Sequence, residues 1–259
     1  MFEAIAAFRE RLTGGEVLIG SGVYLTDPQS SDALADSVDF LWYDLEHSAM
    51  SIEALRGHLI VARNRKIPSV VRVPYVGTPF IKPVLDAGAD GVIVPQIHTV
   101  DEVRQVVDDC RYPPVGARGF GPMVPSNYGR NAGPEYVRAA NENVFAAIMI
   151  ETVDAVESID EIVAVEGLDS VVIGPWDLSA SFGRLGEVDH PDVVAAMVKV
   201  TEAARAAGVF VGSGMGPDPD FATLQVNRGV QWLQMGGDLG YLYYAMDQVT
   251  SAVRARIKG

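Results

Sequence analysis

VFAAIMIE, residues 144–151, places seven apolar residues in a row and ends them on a glutamate. A run of that length is bounded at its end by a charge and contains no helical spacing of polar residues, so it predicts a strand buried on both faces. Seven further runs share the character: VLIGSG (17–22), FLWYD (40–44), SVVRVP (69–74), GVIVP (91–95), SVVIGP (170–175), VFVGSG (209–214) and WLQMGG (232–237). Together with FAAIMIE (145–151) they make eight, and the stretches between them carry helical patterns. Eight strand–helix units with no linker predict a closed (β/α)8 TIM barrel, one domain spanning residues 1–259. A chain of 259 residues, 48% hydrophobic and 21% charged, is large enough to fill such a core.

Local signals agree with this pattern. Ser51 stands before an apolar-periodic stretch, Asp101 and Glu102 open another, and Gly14 and Gly88 follow helix ends. Near the C-terminus Leu242, Met246, Val249 and Val253 share one helical face, which predicts packing on the core or on another subunit, the core being the commoner outcome. The segment Arg111 to Asn143 contains YPPVGARGFGPMVPSNYGRN, too rich in Gly and Pro for much regular structure, and a loop of that length is a candidate lid.

A net charge of −14 and a pI near 4.6 argue against nucleic acid or an anionic membrane as a partner. Cys110 is the single cysteine, so neither an intrachain disulfide nor a thiolate metal cluster can form. The N-terminal MFEAIAAFRERL has the spacing of an amphipathic helix rather than of a signal peptide, and the protein is expected in the cytoplasm.

In a barrel of this kind chemistry sits where the strands end, so polar residues there are the candidates. They are Asp44, Glu46 and His47 after the second run, Arg72 in the third, Gln96 and His98 after the fourth, Glu151 closing the fifth and Asp177 after the sixth. Glu151 needs a compensating cation, because an unpaired buried carboxylate costs several kcal/mol. That cation is either Arg72, in a plain ion pair, or a metal. Asp177 is either a ligand or a helix cap. As a pair from neighbouring strand ends, Glu151 and Asp177 suit a hard ion on oxygen ligands, Mg²⁺ or Mn²⁺, with positions left open.

Arg72, an always-charged planar fork in an apolar strand, suits a substrate carboxylate or an internal ion pair. His47 is the best-placed base, with His98 its competitor. Asp86 lies in the last turn before Gly88, where the helix dipole disfavours it, and so requires a partner such as an imidazole or Lys82. None of Lys66, Lys82, Lys199 and Lys258 falls at a strand end, which disfavours a Schiff base, so that any aldol chemistry here would use a metal as electron sink. Glycines 212–216 and 236–237 occupy the places where many barrels bind phosphate, although glycine-rich turns are commonly only turns.

YDLEHSAM, VVRVP, KPVLDAGADGVIVP, RYPPVGARGFG, MIET and IGPWDLSASFG, in this order from about Gly20 to Gly237, resemble the HpcH/HpaI aldolase family. The resemblance implies Glu151 and Asp177 as metal ligands, Arg72 as the pyruvate-binding arginine, and His47 with Asp86 as a base dyad. It further implies Mg²⁺, Mn²⁺ or Co²⁺ and a hexamer built as a trimer of dimers with the C-terminal helix exchanged. The activity implied is reversible cleavage of a 4-hydroxy-2-keto acid to pyruvate or a related keto acid and an aldehyde. An acyl-CoA or phosphosugar enzyme, or a non-catalytic keto-acid-binding protein, are the alternatives. Two positions depart from the family's namesake: Met149 replaces a glutamine and Trp176 an alanine, so that Met149, Gly174, Trp176 and Asp177 are expected to shape the substrate pocket.

Overall fold

The computed structural model describes residues 2–258. The strands β1 (Leu18–Val23), β2 (Phe40–Asp44), β3 (Ser69–Arg72), β4 (Gly91–Val94), β5 (Phe145–Ile150), β6 (Ser170–Ile173), β7 (Phe210–Met215) and β8 (Trp232–Gly237) pair in sequence order. All pairings are parallel, and β8 closes on β1, giving a complete barrel ringed by helices. Each strand is buried because both its faces are covered, which is why apolar runs rather than alternation marked them.

The N-terminal end of the barrel is filled with aromatic rings. Phe40, Phe145 and Trp232, each the first residue of its strand, point inward, and the helix Glu3–Thr13 sets Phe8 among them. Its ring centroid lies 5.5 Å from that of Phe40, 5.6 Å from Phe145 and 6.0 Å from Trp232, all edge to face. Glycines on neighbouring strands make the room: a Cβ on Gly20 would stand 2.5 Å from the Phe40 ring, and one on Gly212 2.3 Å from the Trp232 ring. Trp232 spends its one polar atom on Ser170 Oγ at 3.0 Å.

Two expectations about the periphery need correction. The helix Asp238–Lys258 does not lay Leu242, Met246, Val249 and Val253 on the core; all four are exposed. The Gly/Pro-rich segment is no lid over its own barrel. It leaves the end of the helix Val100–Cys110, which runs away from the mouth, and packs at the opposite end, where Arg63 Nη1 donates to the Val124 carbonyl at 2.9 Å. Its last part is regular after all, a helix at Pro134–Asn143.

Candidate active site

The mouth at the C-terminal ends of the strands is built from side-by-side positions. Asp44 and Arg72 are direct partners in the β2–β3 register, so both side chains leave the sheet together. Arg72 donates to Asp44 from Nε at 3.0 Å and from Nη2 at 2.5 Å, a two-pronged pairing, and its Nη1 lies 3.1 Å from Glu46 Oε2. The guanidinium also rests over the Trp42 ring, 5.8 Å from its centroid. Asp44 is fully buried and in turn accepts the backbone N–H groups of Glu46 and His47, so the turn after β2 is tied to the residue that holds Arg72.

Arg72 is thus the partner of Asp44 and Glu46 and not of Glu151. Among the described residues Glu151, 2% exposed, forms no salt bridge; its Oε1 accepts from the backbone N–H of Gln96 at 2.7 Å and from the Gln96 amide at 3.0 Å. Gln96 reaches this position in a left-handed backbone conformation, φ 55°. The other oxygen, Oε2, packs on β6: a Cβ on Gly174 would stand 2.7 Å from it and 3.0 Å from Met149 Cε. A side chain at Gly174 would thus displace the Glu151 carboxylate and the Met149 methyl from their present positions.

Asp177 does not cap the helix Pro175–Ser181. That helix starts at Gly174 with no side-chain cap, and Asp177 stands exposed in its first turn. Burial raises the Glu151 carboxyl to about 7, and the nearby charges of Asp177 and Glu46 act in the same direction. Glu46 is raised to about 7 as well, by burial first and then by Asp44 and Asp177, against the pull of Arg72. Three carboxylates thus share one field with a single, already engaged guanidinium. An all-oxygen set carrying this surplus negative charge has the chemistry that suits a hard divalent cation. Among the described residues no group of three or more His, Cys, Asp or Glu forms a complete metal cage.

His47 stands at the rim, its side chain 63% exposed, with Nε2 3.6 Å from Glu46 Oε2. Asp86 is not its partner within the chain. Asp86 belongs to the last turn of the helix Thr78–Ala87, which starts beside the end of β3 and descends to the N-terminal end of the barrel, and there it binds the buried Arg118 at 2.7 Å. The cation that Asp86 requires is thus supplied by Arg118, which stacks over Tyr112 at 4.5 Å, and not by an imidazole or Lys82. His98 pairs with Asp154 at the surface, at 3.0 Å.

Sequence reasoning missed Tyr24 and Gln234, which line the mouth cavity of about 530 Å³ together with Arg72, Met149, Trp176 and Asp177. Tyr24 directly follows β1, and Gln234 is the one long polar side chain in β8; these were the available signals. The glycine turns have their own explanation. Gly212 makes room for Trp232, and the helices that follow β7 and β8 begin with carboxylates already on their N–H groups: Asp218 accepts from Asp220 and Phe221, Asp238 from Leu239 as well as from Tyr24 and Leu25. A phosphate would meet negative charge at both. Lys82 lies near Gly119 and Lys199 Nζ donates to the Val156 carbonyl, both remote from the mouth.

A family model described as HpcH/HpaI aldolase/citrate lyase matches residues 27–245. The chain belongs to that family. A 4-hydroxy-2-oxovalerate aldolase from Rhodococcus jostii (strain RHA1) is 34% identical over 99% of this chain and 97% of its own length. A hydroxypyruvate/pyruvate aldolase from Roseobacter denitrificans is 30% identical over 91% of this chain and 92% of its own. The crystal structure of an HpcH/HpaI aldolase/citrate lyase family protein from Burkholderia cenocepacia J2315 superposes with a TM-score of 0.90 at 32% identity, covering 96% of this chain and 99% of that one. Membership in the HpcH/HpaI family makes the chain an enzyme of the aldolase, carbon–carbon lyase type. It also accounts for a mouth in which acids, one arginine and one histidine converge.

Proposed function

We propose that the chain reversibly cleaves a 4-hydroxy-2-keto acid to pyruvate, or a close 2-keto acid, and an aldehyde, with a divalent ion held by Glu151 and Asp177. The observation that carries this reading is Glu151: a carboxylate buried at the mouth, without a cationic side chain, beside a second carboxylate that has no structural task. When bound, Mg²⁺ or Mn²⁺, with Co²⁺ as a substitute, would polarise the keto group and stabilise negative charge as the C–C bond breaks.

The protein's own groups do the rest. Arg72, fixed by Asp44, keeps N–H donors for the keto-acid carboxylate and enolate oxygen. His47 takes the proton of the C4 hydroxyl, and Glu46, 3.6 Å from its Nε2, stabilises the imidazolium that results. The carbon released as enolate then takes a proton to give the methyl group. Gly174 leaves space for Glu151, and Met149 and Trp176 bound the pocket beside both ligands.

We assign the exposed face of Leu242, Met246, Val249 and Val253 to a second copy of the chain, with the C-terminal helix exchanged in a hexamer, a trimer of dimers. The cytoplasm remains the expected compartment. The test is direct: EDTA abolishes pyruvate release from a 4-hydroxy-2-keto acid, Mn²⁺ restores it, and borohydride with pyruvate labels no lysine. A labelled lysine, or full activity in EDTA, overturns the reading.

A further inference from the structure

We infer that the phenol of Tyr24 is a further catalytic group, one that donates a hydrogen bond to the C4 oxygen of the substrate while the C–C bond breaks or forms; the inference rests on the aldolase reading above. Tyr24 directly follows β1. In a closed barrel of eight strands in sequence order, β1 lies four places from β5 and so faces it. Tyr24 therefore lines the mouth cavity from the side opposite Glu151.

The ring has a built seat. Gly22 of β1 and Gly237 of β8 are direct partners in the β1–β8 register, and the ring lies across the pair. A Cβ on Gly22 would stand 2.8 Å from Tyr24 Cε2, and one on Gly237 closer still, so a side chain at either place would push the ring aside. The backbone is pinned as well: Asp238, 6% exposed, accepts the N–H groups of Tyr24 at 3.0 Å and of Leu25 at 3.1 Å. These contacts come from β1, β8 and the residue that follows β8, so they hold wherever the rest of the C-terminal helix packs.

The ring so held carries a hydroxyl with no hydrogen-bond partner among the described residues. The Tyr43 phenol, by contrast, meets Ser31 Oγ at 3.0 Å, and that of Tyr241 donates to the Met235 carbonyl at 2.7 Å. Tyr24 and Arg72 feel each other's charge, so the phenol stands near the residue that receives the keto acid. Burial raises the Tyr24 phenol, and Asp44 pushes the same way against Arg72. It stays protonated at neutral pH and is a donor, not a base.

The reaction leaves one substrate oxygen in need of such a donor. The carboxylate and keto oxygens are met by the ion site and Arg72, but the C4 oxygen gives its proton to His47 and carries negative charge until the aldehyde carbonyl is complete. Asp44, Glu46, Glu151 and Asp177 already make the mouth negative, so an unpaired alkoxide there is costly. Arg72 is engaged by Asp44 and Glu46 and serves the keto acid with what remains. Gln234, beside Tyr24, turns one amide N–H back to the Gly236 carbonyl and keeps the other. Trp176 and Tyr243 are 60% and 66% exposed, whereas Tyr24 is half-buried and seated on both faces of its backbone and ring. A donor fixed in advance is the one that lowers a barrier, because it needs no reorganisation when the charge appears.

In cleavage His47 takes the C4 hydroxyl proton, the O–H electron pair becomes the second bond of the aldehyde carbonyl, and the C3–C4 pair stays on C3 as the enolate. Tyr24 keeps its own proton throughout and contributes one hydrogen bond, strongest while the C4 oxygen is an alkoxide. Addition runs the same steps backward, and nothing is oxidised or reduced.

The test is Tyr24→Phe in the full chain with Mn²⁺, a change that removes the hydroxyl and keeps the ring on its glycines. Two rates are compared. Exchange of pyruvate methyl protons in D₂O, followed by NMR, reports enolate formation, in which no C4 oxygen takes part. Aldol addition of pyruvate, measured with whichever of acetaldehyde, glycolaldehyde and benzaldehyde the parent uses fastest, reports the C–C step. Expected is an addition kcat lowered by about 10²-fold, with exchange within about 2-fold of the parent. Preserved exchange also shows a folded variant with an intact keto-acid site. Equal losses in both rates, no loss in either, or a loss confined to exchange overturns the role given to Tyr24 and spares the aldolase reading. A parent without exchange or without addition overturns the aldolase reading itself.

Discussion

The two ends of this barrel are made from the same eight strands and obey opposite rules. At the N-terminal end Phe8, Phe40, Phe145 and Trp232 interlock, glycines yield them space, and the indole nitrogen has its acceptor. At the C-terminal end Glu46, Glu151 and Asp177 share one field with a guanidinium already engaged by Asp44 and Glu46, and two of the three are pushed up to about 7. The difference teaches where the molecule invests its free energy. One end is optimised for packing, and the other holds like charges together, an arrangement that becomes favourable when a cation joins them.

The strongest way to break that contrast is Glu151→Gln. The amide keeps an acceptor for Gln96 and nearly the same volume, but removes one negative charge. Expected is a loss of kcat of about 10³-fold or more, roughly 4 kcal/mol on the barrier, with a urea midpoint equal to or above that of the parent. Mn²⁺ should no longer raise the melting temperature. Should the variant instead unfold more easily, Glu151 is a structural residue and the contrast between the ends disappears.

Trp232→Ala attacks the other end and should leave the opposite signature. Truncating a fully buried indole among three phenyl rings costs about 3–5 kcal/mol of stability, read as a drop in urea midpoint. Activity at low temperature should change much less than stability. A route for coupling does exist, because Trp232 touches Trp42 at 5.9 Å and Trp42 carries Arg72 at 5.8 Å. A folded Trp232→Ala protein with activity reduced as far as in Glu151→Gln would mean that the two ends form one unit.

The packed end and the strands were legible in the sequence because both follow from local composition. FLWYD and WLQMGG match β2 and β8 residue for residue, and the other runs miss by one or two at their ends. Glu151 and Asp177 stand out in the sequence for the same reason, as charges that follow apolar runs, and their role as ligands belongs to the proposal. What could not be read was which charges pair. That Asp44 rather than Glu151 takes Arg72 depends on the β2–β3 register, a long-range property. Asp86 is a different case. A helix that follows a strand runs back to the strand starts, so its last turn lies at the end away from the mouth, and topology alone excludes an in-chain dyad with His47. The face of Leu242, Met246, Val249 and Val253 was visible, but an apolar stripe looks the same whether it meets its own barrel or a second copy.

Asp90 supplies the finest test, since it is an acid with a raised pKa at the packed end. It sits just before β4, accepts the Ser69 N–H at 2.9 Å and Oγ at 2.8 Å, and is raised by burial from 3.8 to about 6. Its folded pKa exceeds its unfolded one, so between those values the folded state binds more protons than the unfolded state. The contribution of Asp90 is therefore complete below about 4 and is lost as pH rises through about 6. Asp90→Asn removes that loss while keeping an acceptor for Ser69. The variant should match the parent near pH 4 and exceed it by about 1–2 kcal/mol at pH 7.5, less than the full shift implies because Asp90 is only partly shielded from solvent. Urea midpoints at the two pH values give the comparison, and Mn²⁺ should leave the difference untouched. A gain that vanishes with Mn²⁺ would tie Asp90 to the mouth. A gain indifferent to the ion shows that burial alone raises a carboxylate, and that it is the company of Glu46 and Asp177, not the shift itself, that separates Glu151 from Asp90.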